Sequence, residues 1–100
     1  MEFGIQFFPN VGPEEKTAAM YYDECLQLCD MVDDLGYTHI RTVEHYFHVY
    51  GGYSPNPIVF LTAVAQRTKK ARLITGAVLP IFNHPLKIAG EIGMLDGLSQ

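Results

Sequence analysis

The stretch RTVEHYFHVYGGYSPNP, residues 41–57, gathers Glu44, His45, Tyr46, His48, Tyr50 and Tyr53 beside a loop with two glycines and two prolines. An imidazole can act near neutral pH as a general base, or donate a hydrogen bond to an anion. Tyrosine rings can wall a flat ligand or simply pack. Gly51-Gly52 permits movement and Pro55 and Pro57 stiffen the exit, which suits a lid with a hinge. A further histidine-bearing step, Asn83-His84-Pro85, offers either a helix cap or a second pocket residue. Cys25 and Cys29 are the two cysteines. At one helical turn apart, a disulfide opposes the helix geometry, and a metal would need two further ligands that the spacing does not supply. They read as buried free thiols, in keeping with a reducing, cytoplasmic setting. No metal site is expected.

These residues need a frame. FGIQFF (3–8) reads as a buried strand that ends in a Pro/Asn/Gly turn. Residues 14–35 read as a helix with Pro13 at its first position and Glu14 and Glu15 at the positive end of the dipole. Ala18, Tyr22, Cys25, Cys29, Val32 and Leu35 make its apolar face, and Gly36 stops it in the left-handed conformation. THIRTV (38–43) is the second strand. Residues 57–70 form a second helix started by Pro57. ARLITGAVLP (71–80) is a third strand, apolar enough to be covered on both faces, with a Gly that marks a bulge or a close approach. Pro85 starts a third helix running to about Leu95, and residues 96–100 read as a turn.

Repeated βα units with short connections predict a parallel sheet with right-handed crossovers. An open doubly wound sheet and a (β/α)8 barrel both fit. Three strands cannot close a barrel of typically ~250 residues, so the 100 residues are expected to be the front portion of something larger. In either architecture ligands gather at the carboxyl ends of the strands. That edge collects Phe8-Pro9-Asn10, Glu44 to Pro57, and Leu79 to His84. On it, His45 continues the alternation of strand two on the side of Arg41 and Val43, as catalyst or as structural histidine. Glu44 points the other way and suits an anchor for the loop or a helix terminus. His48 reads as a surface or lid residue.

The net charge is −4, with Lys and Arg few and dispersed, which argues against nucleic acid or anionic membrane as partner. The longest apolar run, LITGAVLPIF, is too short to span a bilayer, and the N-terminus lacks a signal-peptide pattern. GxGxxG, the P-loop and the nucleophile elbow are all missing, so Rossmann, nucleotide-phosphate and hydrolase readings fall away.

MEFGIQFF, then LGYTHIRTVEHYF with GGYSPNP, then TGAVLPIFNHPLKIAGEIGMLDGLSQ resemble the N-terminal part of the bacterial luciferase-like flavin-dependent monooxygenases, in order and over essentially the whole chain. The pairing of the EH[HY]F step after strand two with the VLP…HP step after strand three carries the specificity. The resemblance implies residues 1–100 as the N-terminal part of a single (β/α)8 TIM-type barrel domain with flavin at its carboxyl mouth. It implies a catalytic role for His45, the first His of the family's EHHF motif; the second is Tyr46 here. It implies a cis, non-prolyl Gly76-Ala77 peptide against the flavin ring, hence cofactor contacts at Gly76, Ala77 and Tyr46. The family's phosphate-binding residues lie mostly after the fourth strand.

The activity so implied is a monooxygenase. Reduced FMN from a separate reductase reacts with oxygen, and a flavin hydroperoxide oxidises a small organic substrate. The resemblance also implies a dimer. Two alternatives share the fold: a deazaflavin-dependent hydride-transfer enzyme, and a noncatalytic flavin-binding or partner subunit.

Overall fold

The computed structural model describes residues 1–48 and 50–100. Three strands alternate with three helices: β1 (Gly4–Phe7), α1 (Ala18–Asp30), β2 (His39–Thr42), α2 (Pro57–Val64), β3 (Arg72–Thr75) and α3 (Pro85–Leu98), with a 3-10 turn at Pro80–Phe82 before α3. The sheet is parallel in the order β1-β2-β3. Its register sets Ile5, Ile40 and Leu73 side by side, and next to them Gln6, Arg41 and Ile74.

One face of the sheet is covered by helices. Phe7 and Ile40 join Cys25 and Cys29 of α1, Val32 just beyond it, and Leu61 and Val64 of α2 in one buried cluster, with Leu73 and Leu95 at its margin. The other face carries Gly4, Gln6, His39, Arg41, Arg72 and Ile74, and it is open. The third strand is therefore covered on one face, and Arg72 and Ile74 are exposed.

Helix ends follow capping chemistry more closely than hydrophobic period. Residues 13–15 form a turn, not the start of α1. Thr17 is the N-cap, its hydroxyl accepting from Met20 N at 3.3 Å, because a side-chain oxygen satisfies an orphan N–H that Pro13 cannot. Glu15 turns back to accept from Gly12 N at 3.1 Å. After Asp30 the chain makes a further turn. It closes with Tyr37 N donating to Val32 O at 3.0 Å and Gly36 at φ 75°, the left-handed glycine expected. Leu35, 63 % exposed, leaves the predicted apolar face.

The second helix stops at Val64, short of 70. Asp33 shapes the segment between it and β3: its carboxylate accepts from Lys69 N at 2.7 Å, Lys70 N at 3.3 Å, Ala71 N at 3.2 Å and the Thr68 hydroxyl. These bonds organise the turn that launches β3. Desolvation works the other way, yet the bonds hold the Asp33 carboxyl below the usual range. Helix α3 runs past the predicted turn to Leu98, where Ser99 caps it. Pro57 and Pro85 occupy first-turn positions as expected, preceded by Asn56 and His84 as side-chain N-caps.

Candidate active site

The carboxyl ends of the three strands bring the expected segments to one rim. His45 lies three residues past Thr42, and Gly76 one past Thr75; Thr42 and Thr75 are register partners. Both residues therefore follow the strands at the same edge of the sheet. The His45 amide donates to Ser54 O at 2.9 Å. Its half-buried imidazole meets the Phe8 ring edge-on, with centroids 5.0 Å apart and planes at 82°. Tyr50 packs 4.6 Å from Phe8 and 6.1 Å from His45. Beneath the imidazole lies Gly51 at φ 87°, its N–H on Pro9 O at 2.5 Å. A Cβ on Gly51 would fall 2.5 Å from His45 Nδ1, so the ring and this backbone share one space.

Glu44 is buried, as an anchor should be. Its Oε2 accepts from Leu79 N at 2.8 Å, and its Oε1 accepts from the Tyr46 hydroxyl. The Tyr46 ring stands edge-on to Phe82 at 5.6 Å. The bond to Glu44, helped by desolvation and the carboxylate's charge, raises the Tyr46 phenol above its ordinary value. The segment after β2 thus grips the segment after β3. Gly76 N donates to Thr42 O at 2.6 Å, and the Gly76–Ala77 peptide is cis. Ala77 and Leu79 beyond it are exposed.

Other candidates go elsewhere. The three loop tyrosines do not form one wall. Tyr46 stands on Phe82 and Tyr50 on Phe8, whereas Tyr53 turns to α1, with its hydroxyl donating to Lys16 O at 2.8 Å and Tyr22 donating to its carbonyl at 2.7 Å. Nor are Gly51 and Gly52 a hinge. A Cβ on Gly52 would collide with the His48 carbonyl, and the buried Ser54 hydroxyl donates to Val43 O at 2.5 Å and meets Thr42 Oγ1 at 3.0 Å. These glycines allow close approach and the loop is bolted down. His48 is exposed, its Nδ1 accepting from Tyr50 N at 3.2 Å. His84 Nδ1 accepts from Leu86 N at 3.2 Å, so it caps α3. The thiols of Cys25 and Cys29 are free and buried. A surface pocket of about 420 Å³ opens between the loop and α1, against Tyr22, Phe47 and Tyr53; neither His45 nor Gly76 lines it.

Phe8 lies at the edge where the sequence places it, its ring now the partner of His45. The part played by Ser54 escapes a reading of the sequence, because its partners are 11 and 12 residues away. As a whole, the rim offers flat aromatic and apolar surface, one imidazole and an exposed backbone step at 76–77. That donor set fits the ring of a planar heterocycle such as a flavin.

The sequence model of the luciferase-like monooxygenases matches residues 1–100. The oxygenase component of a flavin-dependent trigonelline monooxygenase from Acinetobacter baylyi is 38% identical over 99 residues, covering 99% of this chain and 27% of that protein. The crystal structure of monooxygenase RslO1 from Streptomyces bottropensis superposes with a TM-score of 0.95 at 58% identity, over 99% of this chain and 30% of that one. The oxygenating constituent of 3,6-diketocamphane monooxygenase from Pseudomonas putida, in complex with FMN, gives a TM-score of 0.86 at 27% identity, over 99% and 27%. The chain therefore spans less than a third of these relatives' length. The structural relatives are TIM barrels, which decides between the two architectures: the three βα units are those of a (β/α)8 barrel.

Proposed function

The chain belongs to the luciferase-like monooxygenase family, and from that premise we propose that the protein carrying it is a flavin-dependent monooxygenase, using reduced FMN and oxygen to oxidise a small organic substrate. Residues 1–100 form the N-terminal part of its single barrel domain. The observation that carries the reading is that His45 and the cis Gly76–Ala77 step follow the carboxyl ends of two paired, neighbouring strands. Reduced FMN, when bound, supplies the electrons that activate oxygen.

Gly76 and Ala77 give the ring a backbone seat, and Tyr46 borders it from the β2 side. The Glu44 bond to Leu79 N keeps that seat in register with His45. His45 has Nδ1 against Gly51, which leaves Nε2 to hold or move a proton at the reacting centre. Phe8 and Tyr50 back the imidazole and keep water from that side. A separate flavin reductase is the expected partner, supported by the relative described as an oxygenase component. Among the described residues no helix is long and apolar enough to cross a membrane, and a cytoplasmic dimer is the proposed setting.

The test is anaerobic titration of the whole protein with reduced FMN, then admission of oxygen and analysis of the oxygenated product. His45→Ala is expected to retain FMN and lose about 10²–10⁴-fold in turnover. Full turnover in that variant would remove His45 from the chemistry. Retention of a deazaflavin with no uptake of FMN would move the protein to hydride transfer.

A further inference from the structure

Arg41 lies on the open face of the central strand, opposite Gln6 on one side and Ile74 on the other. Its side chain does not stay at that level. The atoms nearest to the position of a Cβ on Gly76 are Arg41 Nε, Cγ at 3.0 Å and Cζ at 3.1 Å. Gly76 is two residues nearer the rim than Ile74, so the guanidinium leans up and across onto β3. The missing side chain at 76 makes the room.

The cation has no anion of its own there. Among the described residues the ion pairs are Lys16–Glu24, Arg67–Asp30, Arg72–Glu2 and Lys87–Glu91. The other two arginines are paired and Arg41 is not. Beside it lie its register partners Gln6 and Ile74, and Gly76, none of them acidic. Glu44, the nearest carboxylate in sequence, is committed to Leu79 N and the Tyr46 hydroxyl. Inside a closed barrel such a charge is costly unless something negative meets it.

We propose that Arg41 is the cation that favours the reduced, anionic form of the bound flavin, by facing the negative charge on its pyrimidine edge. The inference rests on the flavin seat proposed above. Oxidised flavin is neutral in that ring, whereas two-electron-reduced flavin carries a negative charge shared over N1 and the C2 carbonyl near neutral pH. A guanidinium touching the first residue of the seat binds the second form better than the first. By linkage, it raises the midpoint potential of the bound cofactor.

Dissociation constants for oxidised FMN, and for reduced FMN under anaerobic conditions, are measured on the whole protein and on Arg41→Gln and Arg41→Lys. The wild type is expected to prefer the reduced form. Arg41→Gln is expected to cut that preference at least tenfold, a fall of about 30 mV in the two-electron midpoint potential, while Arg41→Lys retains most of it. A second readout needs no variant: reduced FMN on the wild type stays anionic, by its absorbance, at pH values where the free reduced flavin is protonated. An unchanged ratio in Arg41→Gln, equal weakening of both forms, or a neutral reduced flavin on the wild type overturns the role of Arg41 and leaves the flavin site standing. A wild type that binds FMN in neither state overturns the site itself, and this role with it.

Discussion

Removing the carboxylate of Glu44 tests the link between the two halves of the rim. The group is buried, 6 % exposed, and holds Leu79 N at 2.8 Å. A hydrogen bond to a charged group contributes about 1.5–3 kcal/mol, and Glu44→Ala leaves the Leu79 N–H without its acceptor. Tyr46 is 41 % exposed overall, so water can replace the lost partner of its hydroxyl. Glu44→Gln keeps an amide oxygen for Leu79 and costs about 1 kcal/mol or less, the difference between a charged and a neutral bond. If the loss is local, the Leu79 amide exchanges its hydrogen roughly 10- to 150-fold faster in Glu44→Ala. Native-state hydrogen exchange reads that amide directly. The Tyr46 phenol supplies a pH signature. Its folded value is raised, so the Tyr46 contribution is present below about pH 10 and lost as pH rises through the higher folded value. In Glu44→Gln the phenol titrates closer to about 10, read by NMR of ring-labelled tyrosine. Unchanged protection of Leu79 in Glu44→Ala, or a glutamine variant as damaged as the alanine one, would refute the reasoning.

Gly51→Ala is expected to destabilise by more than the ~1–2 kcal/mol of a left-handed residue, because its methyl group also meets the His45 ring; thermal unfolding measures it. Asp33 has a lowered folded value, so its contribution is present above about pH 3.9 and lost as pH falls through the lower folded value. Urea unfolding as a function of pH should show that acid limb in the wild type and a smaller one in Asp33→Asn. Burial, then the nearby charges of Cys25 and Asp30, pushes the Cys29 thiol up to about 12. At about pH 8 an alkylating reagent should leave Cys29 untouched in the folded protein and modify it once unfolded, as followed by mass spectrometry.

The order of elements is legible in the sequence because each strand and helix carries its own period. The ends are not, since they depend on which side chain reaches an orphan amide: Thr17 outcompetes Pro13, and Asp33 shapes a turn more than thirty residues away. Parity separates His45 from Glu44, and the two have different partners: Phe8 and Tyr50 for the imidazole, Leu79 N and Tyr46 for the carboxylate. The behaviour of Gly51-Gly52 is beyond reach from sequence. Two adjacent glycines suggest freedom until Pro9, His45 and His48 are brought against them. Tyr53 misleads for the same reason, its partners being Lys16 and Tyr22, more than thirty residues away.

The central strand treats its neighbours' glycines as floor space. The imidazole of His39 fills the volume where Gly4 would carry a methyl group, and the Arg41 side chain does the same at Gly76. Volume on this surface is therefore held jointly across strands, and an engineer who enlarges residue 76 must shorten residue 41 in the same step. Libraries that randomise one partner with the other fixed would discard solutions that paired randomisation retains.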